Sequence, residues 1–131
     1  MQAFSEYFDI LNFVLININI RQDIIYKKLT GRRICSKCNR NYNLCQIDED
    51  DYHMKPLLPK IDSKCDNCGG ELIRREDDNI KVIDKRMETY YNESLPVFNM
   101  MKNNGIPLID FVPKRGKRDY SILCEKIKKL L

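Results

Sequence analysis

Four of the six cysteines form two pairs with the spacing Cys-x-x-Cys: Cys35 with Cys38, and Cys65 with Cys68. This spacing lets the two sulfurs of one turn point at the same ion, and four thiolates complete the tetrahedral shell that Zn²⁺ prefers. A four-thiolate shell leaves no open coordination position, so the pattern predicts a structural zinc site. Local disulfides, buried free thiols and an iron–sulfur cluster are the alternatives.

Pairs of arginines flank the cysteine region on both sides. Arg32 and Arg33 precede the first cysteine pair, and Arg74 and Arg75 follow the second. A metal that gathers both cysteine pairs brings the two ends of the segment together, so these guanidinium groups are expected to converge. Guanidinium groups bind pairs of phosphate oxygens, which indicates a polyphosphate ligand. The alternative is surface ion pairing with the carboxylates of residues 76–78.

The segments before the cysteines read as a strand followed by a helix. Phe13 to Ile20 is β-branched and apolar and predicts a largely buried strand. The next segment, "RQDIIYKKLTG", has apolar residues at helical spacing, with Asp23 near its start and Gly31 as its stop. From Arg32 to Arg75 this periodicity disappears, and we expect the metal to supply the order there.

Helical periodicity resumes after the cysteines. It predicts a helix from Asp77 or Asp78 to Gly105 with a bend at Pro96, a short strand at 106–112, and a closing helix at 120–131. Alternating strands and helices predict an α/β fold with a parallel sheet. We therefore divide the chain into a strand and helix of the core (1–31), a zinc-binding insertion (32–75), and a helix, strand and helix of the core (76–131).

Composition and charge limit the kinds of partner that we expect this chain to bind. The chain has 131 residues and a net charge of +4, which favours anionic ligands without naming one. Basic residues alternate with acidic ones and no aromatic residues are interleaved with them in the cysteine turns, so we expect no nucleic-acid partner. The longest apolar run, residues 10–20, is too short to span a membrane, and the N-terminus lacks a signal-peptide pattern. We expect a cytoplasmic protein, with an organelle left open.

Three motifs together resemble the adenylate kinase family, specifically its zinc-containing form with a mobile lid. They are "GRRICSKC" (31–38), "CDNCGGEL" (65–72) and "RREDDN" (74–79), the last followed by Arg86, nine residues after Asp77. The resemblance extends from about Leu11 to Leu131. It implies the C-terminal portion of a P-loop kinase-like parallel sheet, with a small zinc-bound lid inserted.

The resemblance also implies a function, namely reversible transfer of the γ-phosphoryl group of ATP to AMP, with Mg²⁺ bound to ATP and the lid closing over it. By matching position, Arg32, Arg75 and Arg86 bind phosphates and stabilise the transferring group. Asp77 and Asp78 orient these arginines at the base of the lid. Lys28 stands where most members carry an arginine against the adenine, and the sequence leaves the choice between adenine and guanine open.

Besides Lys28, the chain departs from the family in three places. Tyr42-Asn43 stands where an aromatic residue and histidine are usual, and 26 residues separate Cys38 from Cys65, more than usual. No glycine belongs to a Gly-x-x-Gly-x-Gly-Lys-Ser/Thr phosphate loop. We therefore expect this chain alone to be inactive and to need an N-terminal half that carries the P-loop. The alternatives are a non-catalytic zinc-binding relative and a zinc-ribbon module for nucleic acid.

Overall fold

A computed structural model describes residues 13–131 and divides the chain into two compact units. The core unit comprises residues 13–19 and 86–131, and the cysteine unit comprises residues 20–85. The strands are β1 (Leu15–Ile18), β2 (Arg32–Cys35), β3 (Asn41–Asn43), β4 (Ile47–Glu49), β5 (Tyr52–Met54), β6 (Leu72–Ile73) and β7 (Leu108–Phe111). The α-helices are α1 (Gln22–Gly31), α2 (Ile80–Thr89), α3 (Leu95–Asn103) and α4 (Tyr120–Lys128). The predicted insertion, residues 32–75, lies within the cysteine unit, and its boundaries stay a prediction.

The core unit contains a two-stranded parallel sheet in which β1 pairs with β7. The amide of Asn17 donates to the carboxylate of Asp110 across this pair at 3.0 Å. The parallel sheet and mixed helices confirm the predicted α/β class. The predicted burial of β1 is wrong, since Ile16 and Ile18 are 38% and 62% exposed. Within the described residues β7 is the strand partner of β1, so these two side chains have little to pack against.

The long predicted helix is interrupted one turn before its proline. A π-helical turn, Tyr90–Ser94, separates α2 from α3, and the backbone N–H of Leu95 bonds to the carbonyl of Tyr90, five residues earlier. Pro96, near the start of α3, has no N–H to donate to the preceding turn, and its ring crowds the carbonyl there. The wider π-helical turn accommodates the proline, so the predicted distortion is present but takes this form.

The cysteine unit begins with α1, whose bounds agree with the predicted helix and its stop at Gly31. Strand β2 follows immediately and is the centre of a three-stranded antiparallel sheet in the order β3-β2-β6. Strands β4 and β5 form a separate antiparallel hairpin. The secondary structure between β2 and α2 is thus short and sparse, as expected for a segment whose order depends on a metal.

One arginine ties the β4–β5 hairpin to the start of α1. The Arg21 guanidinium contacts the carboxylates of Asp23, Glu49 and Asp50 at 2.6, 3.0 and 2.6 Å. It also lies over the ring of Tyr52, 5.4 Å from its centroid. The acidic hairpin tip therefore carries its own cationic partner. Among the described residues, no helix is both long and apolar enough to cross a bilayer.

Candidate metal centre and arginine pairs

The structure brings the four predicted metal ligands together. The sulfurs of Cys35, Cys38, Cys65 and Cys68 all lie within 4.8 Å of one another. The closest pairs, Cys35 with Cys68 and Cys38 with Cys65, are 3.3 and 3.6 Å apart. A disulfide needs about 2.05 Å, whereas four sulfurs about 2.3 Å from one ion are about 3.8 Å apart. All six cysteines are free, and the four sulfurs suit one tetrahedral ion better than disulfides.

The two cysteine turns have the same backbone design. The N–H of Cys35 donates to the carbonyl of Arg40 at 3.0 Å, and the N–H of Cys65 donates to that of Gly70 at 2.8 Å. The residue four positions after the first cysteine is left-handed in each turn, with φ of 59° at Asn39 and 70° at Gly69. Asparagine and glycine tolerate this conformation best, which explains their presence here.

Backbone N–H groups point at the sulfurs. Those of Lys37 and Cys38 lie 3.4 and 3.5 Å from the Cys35 sulfur, and that of Asn67 lies 3.4 Å from the Cys65 sulfur. Such donors favour the thiolate, the form that binds metal. The glycine at position 70 is also required, because a Cβ there would lie 2.8 Å from the Cys35 sulfur.

A tyrosine hydroxyl completes the surroundings of the second turn. Tyr42 is 3% exposed, and its hydroxyl lies 3.5 Å from the Cys65 sulfur. Donation by this hydroxyl lowers the pKa of the Cys65 thiol to about 6. Sequence reasoning noted Tyr42 only as part of a departure from the family pattern. Its nearness to the first cysteine turn was the available signal, but its partner is 23 residues away.

Arg32 and Arg33 lie on β2, and Arg74 and Arg75 directly follow β6, its antiparallel neighbour. The register pairs Ile34 of β2 with Ile73, the last residue of β6, so the strand pairing ends one residue before Arg74. In an antiparallel pair the start of one strand lies beside the end of the other, so the two arginine pairs lie at the same end of this sheet. Like charges in this arrangement repel unless carboxylates compensate them.

The compensating carboxylates come from the 3₁₀ turn Glu76–Asp78, just before α2. Arg32 donates through Nε to Asp78 at 2.8 Å and through a second nitrogen to the other oxygen of the same carboxylate. This bond raises the pKa of Arg32 above its ordinary value. Arg75 contacts Asp77 at 3.1 Å in a more exposed pair. The predicted acidic pair is thus in contact with two predicted arginines, while what these arginines bind stays a prediction.

Arg33 has a different role from Arg32. Its guanidinium donates to the backbone carbonyls of Thr30 and Arg32 at 3.0 and 2.8 Å, so it caps the carboxyl end of α1. Burial and the nearby charge of Arg74 lower its pKa. The position of the flanking arginines alone grouped Arg33 with Arg32, whereas the family resemblance assigned phosphate binding to Arg32 and not to Arg33.

The remaining predicted residues lie on helices. Lys28 is half-buried near the end of α1, and its backbone carbonyl accepts a hydrogen bond from the Asn43 amide at 2.9 Å. Arg86 is exposed on α2 and belongs to the core unit. The functions of both residues stay predictions.

Comparison with known proteins finds similarity in the segment that contains the cysteines and the flanking arginines. The family model for the adenylate kinase active-site lid matches residues 32–77. A GTP:AMP phosphotransferase of Plasmodium falciparum is 41% identical over 126 residues, covering 88% of this chain and 54% of the relative. An adenylate kinase of Caldanaerobacter subterraneus is 34% identical over 117 residues, covering 89% and 47%.

An adenylate kinase of Treponema denticola is 38% identical over 104 residues, covering 79% of this chain and 45% of the relative. The chain thus spans about half the length of the curated relatives it matches. Their similarity extends well beyond the cysteine segment, and it confirms the resemblance predicted from the three motifs. The chain belongs to the adenylate kinase family.

Proposed function

We propose that this chain supplies the zinc-bearing lid and adjoining core of a nucleoside monophosphate kinase. The reaction is transfer of the γ-phosphoryl group of a nucleoside triphosphate, with Mg²⁺ bound to it, to AMP. One observation carries the proposal: Arg32 and Arg75, at the two ends of the cysteine segment, are each held by a carboxylate of the same short turn. Phosphoryl transfer needs this kind of positioned positive charge.

The contact with Asp78 orients Arg32 without consuming its binding capacity. A guanidinium has five N–H donors, and the bidentate contact uses two of them. The Arg32 side chain is 25% exposed, whereas that of Asp78 is 1% exposed. The carboxylate therefore acts as a buried anchor, and the open side of the guanidinium is available to phosphate oxygens. Arg75, held by Asp77, is proposed to act in the same way.

Zinc is proposed to be structural. Bound to the four thiolates, it would hold the end of β2 to the turn that leads into β6. The register between these strands sets the positions of Arg32 and Arg75. Metal binding therefore supports the phosphate site without contacting phosphate.

Lys28 and Arg86 are proposed to complete nucleotide binding, as the resemblance implies. Arg86 would stabilise the transferring group, and Lys28 would lie near the base of the donor nucleotide. The donor is proposed to be ATP. The relative from Plasmodium falciparum is named for GTP, so GTP is the alternative donor to test.

The chain is proposed to work with a segment that carries the P-loop. Parallel sheets are usually covered on both faces and rarely consist of two strands. Strand β1 presents Ile16 and Ile18 to solvent in the core unit, which supports a partner that adds to this sheet. By this proposal the chain alone turns over no substrate.

Measurement of ADP formation tests the proposal. The zinc-loaded chain is incubated with AMP and Mg-ATP or Mg-GTP, first alone and then with the separately expressed part of the Caldanaerobacter adenylate kinase that this chain does not match. We expect turnover only in the mixture, and loss of most of it in Arg75→Ala. The matched control is Arg74→Ala, which removes the adjacent arginine and leaves the Arg75–Asp77 contact in place.

Two outcomes would contradict parts of this proposal. Turnover by the chain alone at the rate of an intact kinase would show that it needs no P-loop segment. Nucleotide binding without turnover in any mixture would instead favour the non-catalytic zinc-binding relative, which the lack of a phosphate loop in this sequence makes the second candidate.

A further inference from the structure

Tyr42 connects the two cysteine turns through its side chain. It lies on β3, which leaves the first turn, and it is buried in one cluster with Cys35 and Cys65. The cluster is covered by Leu72, on the strand that follows the second turn. The phenol therefore lies between the two halves of the metal centre.

The Tyr42 hydroxyl makes two hydrogen bonds to the second turn. It accepts from the backbone N–H of Asp66 at 2.8 Å and lies 3.5 Å from the Cys65 sulfur, to which it donates. These roles are compatible because a hydroxyl has one proton to donate and lone pairs to accept with. One oxygen atom thus restrains both the Cys65 sulfur, a proposed metal ligand, and the backbone of the next residue, Asp66.

The ring of Tyr42 is itself restrained. Strand pairing places Tyr42 opposite Arg33, and the guanidinium of Arg40 lies over the ring, 5.9 Å from its centroid. A restrained ring holds its hydroxyl in place at little entropic cost. Groups that hold metal ligands by hydrogen bonds commonly change metal affinity by about 10-fold to 100-fold when removed.

We infer that Tyr42 is a positioning residue of the metal centre, whose hydroxyl fixes the second cysteine turn against the first so that all four sulfurs face one ion. This inference rests on the proposed binding of zinc by the four cysteines. It assigns a role to a residue outside both Cys-x-x-Cys motifs. The backbone donors at the sulfurs act within each turn, whereas Tyr42 acts between turns.

Tyr42→Phe tests the inference because it removes one oxygen atom and keeps the ring. The matched control is Tyr52→Phe. Tyr52 is also buried in the cysteine unit, but its hydroxyl accepts a hydrogen bond from the backbone N–H of Arg21 and not from a cysteine turn. Zinc affinity is measured by competition with a chelator, together with the rate of zinc release and the thiolate charge-transfer spectrum of the Co²⁺-substituted protein. We expect about tenfold weaker zinc binding and a shifted Co²⁺ spectrum for Tyr42→Phe, and neither change for Tyr52→Phe.

The outcomes separate this inference from the proposed metal site. If the original chain takes up no zinc, the metal site itself fails. If zinc binds but Tyr42→Phe matches Tyr52→Phe in affinity, release and spectrum, only the role of Tyr42 is overturned. Should Tyr42→Phe not fold, amide exchange of Asp66 in the unmodified, zinc-loaded chain decides: protection supports the inference, and exchange at the unfolded rate refutes it.

Discussion

Arg32 and Asp78 are joined by a two-point contact although 46 positions separate them in the chain. Arg32 begins the segment that contains all four clustered cysteines, and Asp78 follows the end of that segment. The contact therefore closes the base of the cysteine segment, while the cysteines gather its middle. The carboxylate is buried, whereas the guanidinium is partly exposed to solvent.

Asp78→Asn should destabilise the cysteine unit strongly. The change removes the negative charge that Arg32 faces and replaces one acceptor oxygen with an amide group that cannot accept. Loss of this buried two-point contact lowers the free energy of unfolding by about 2–4 kcal/mol. Chemical denaturation of the zinc-loaded chain measures this loss. The control Asp77→Asn affects a more exposed pair and should change the free energy of unfolding far less. Equal effects of both changes would contradict the anchoring role of Asp78.

Gly70→Ala should distort the metal centre. The added Cβ would lie 2.8 Å from the Cys35 sulfur, so the sulfur or the turn must move. Overpacking of this kind costs about 1–3 kcal/mol, and the Co²⁺ spectrum should shift. Gly69→Ala is the control, since its Cβ meets nothing within 4 Å and only its φ of 70° is unfavourable. That change should cost about 1 kcal/mol with an unchanged spectrum.

Removal of zinc should loosen the sheet β3-β2-β6. The buried cluster beside the sheet consists of two cysteines and a tyrosine, so little apolar surface replaces the metal bonds. We expect one zinc per chain, lost in Cys35→Ser, and faster amide exchange in β2 and β6 after chelation. Cys45→Ser is the control, because Cys45 is a free thiol outside the cluster. An unchanged exchange pattern after complete metal removal would contradict a structural role for zinc.

Asp119 should contribute to stability in a pH-dependent way. Burial acts to raise its pKa, but the backbone N–H and guanidinium of Arg115, at 2.9 and 2.7 Å, outweigh burial and lower it. A folded pKa below the unfolded value stabilises the fold above about pH 4, and the stabilisation disappears as pH falls through the folded pKa. Asp119→Asn should therefore unfold about 1 kcal/mol more easily at pH 7, with the difference shrinking in acid. Denaturation curves that stay equally separated at every pH would contradict this.

The features that the sequence predicts well depend on local spacing. Gly31 marks the end of α1. Each Cys-x-x-Cys turn is a self-contained backbone design, and the spacing of its two cysteines directs both sulfurs to the same point. Contacts between segments that are far apart in the chain cannot be predicted from local spacing. Tyr42 finds its partners in the second cysteine turn, and Arg21 finds two carboxylates in a hairpin almost 30 residues away. Nothing in the local pattern of either residue specifies those partners.

The exposure of β1 was mispredicted for a related reason. An apolar strand is expected to be buried, yet the pattern cannot say which segment buries it. The Asn17 side chain donates a hydrogen bond across the sheet to Asp110. Its apolar neighbours Ile16 and Ile18 are exposed. The sequence indicates that this strand belongs inside a sheet, and the described residues supply one neighbouring strand.

Ile18→Lys should weaken association through β1. Ile18 is 62% exposed, so a lysine there costs little stability in the chain itself, but it places a charge where an apolar partner must pack. We expect weaker binding of the proposed P-loop half in sedimentation. Ile61→Lys is a matched control, since Ile61 is 64% exposed but lies in the cysteine unit. If both variants bind the P-loop half like the original chain, β1 is not the surface through which the proposed partner would bind.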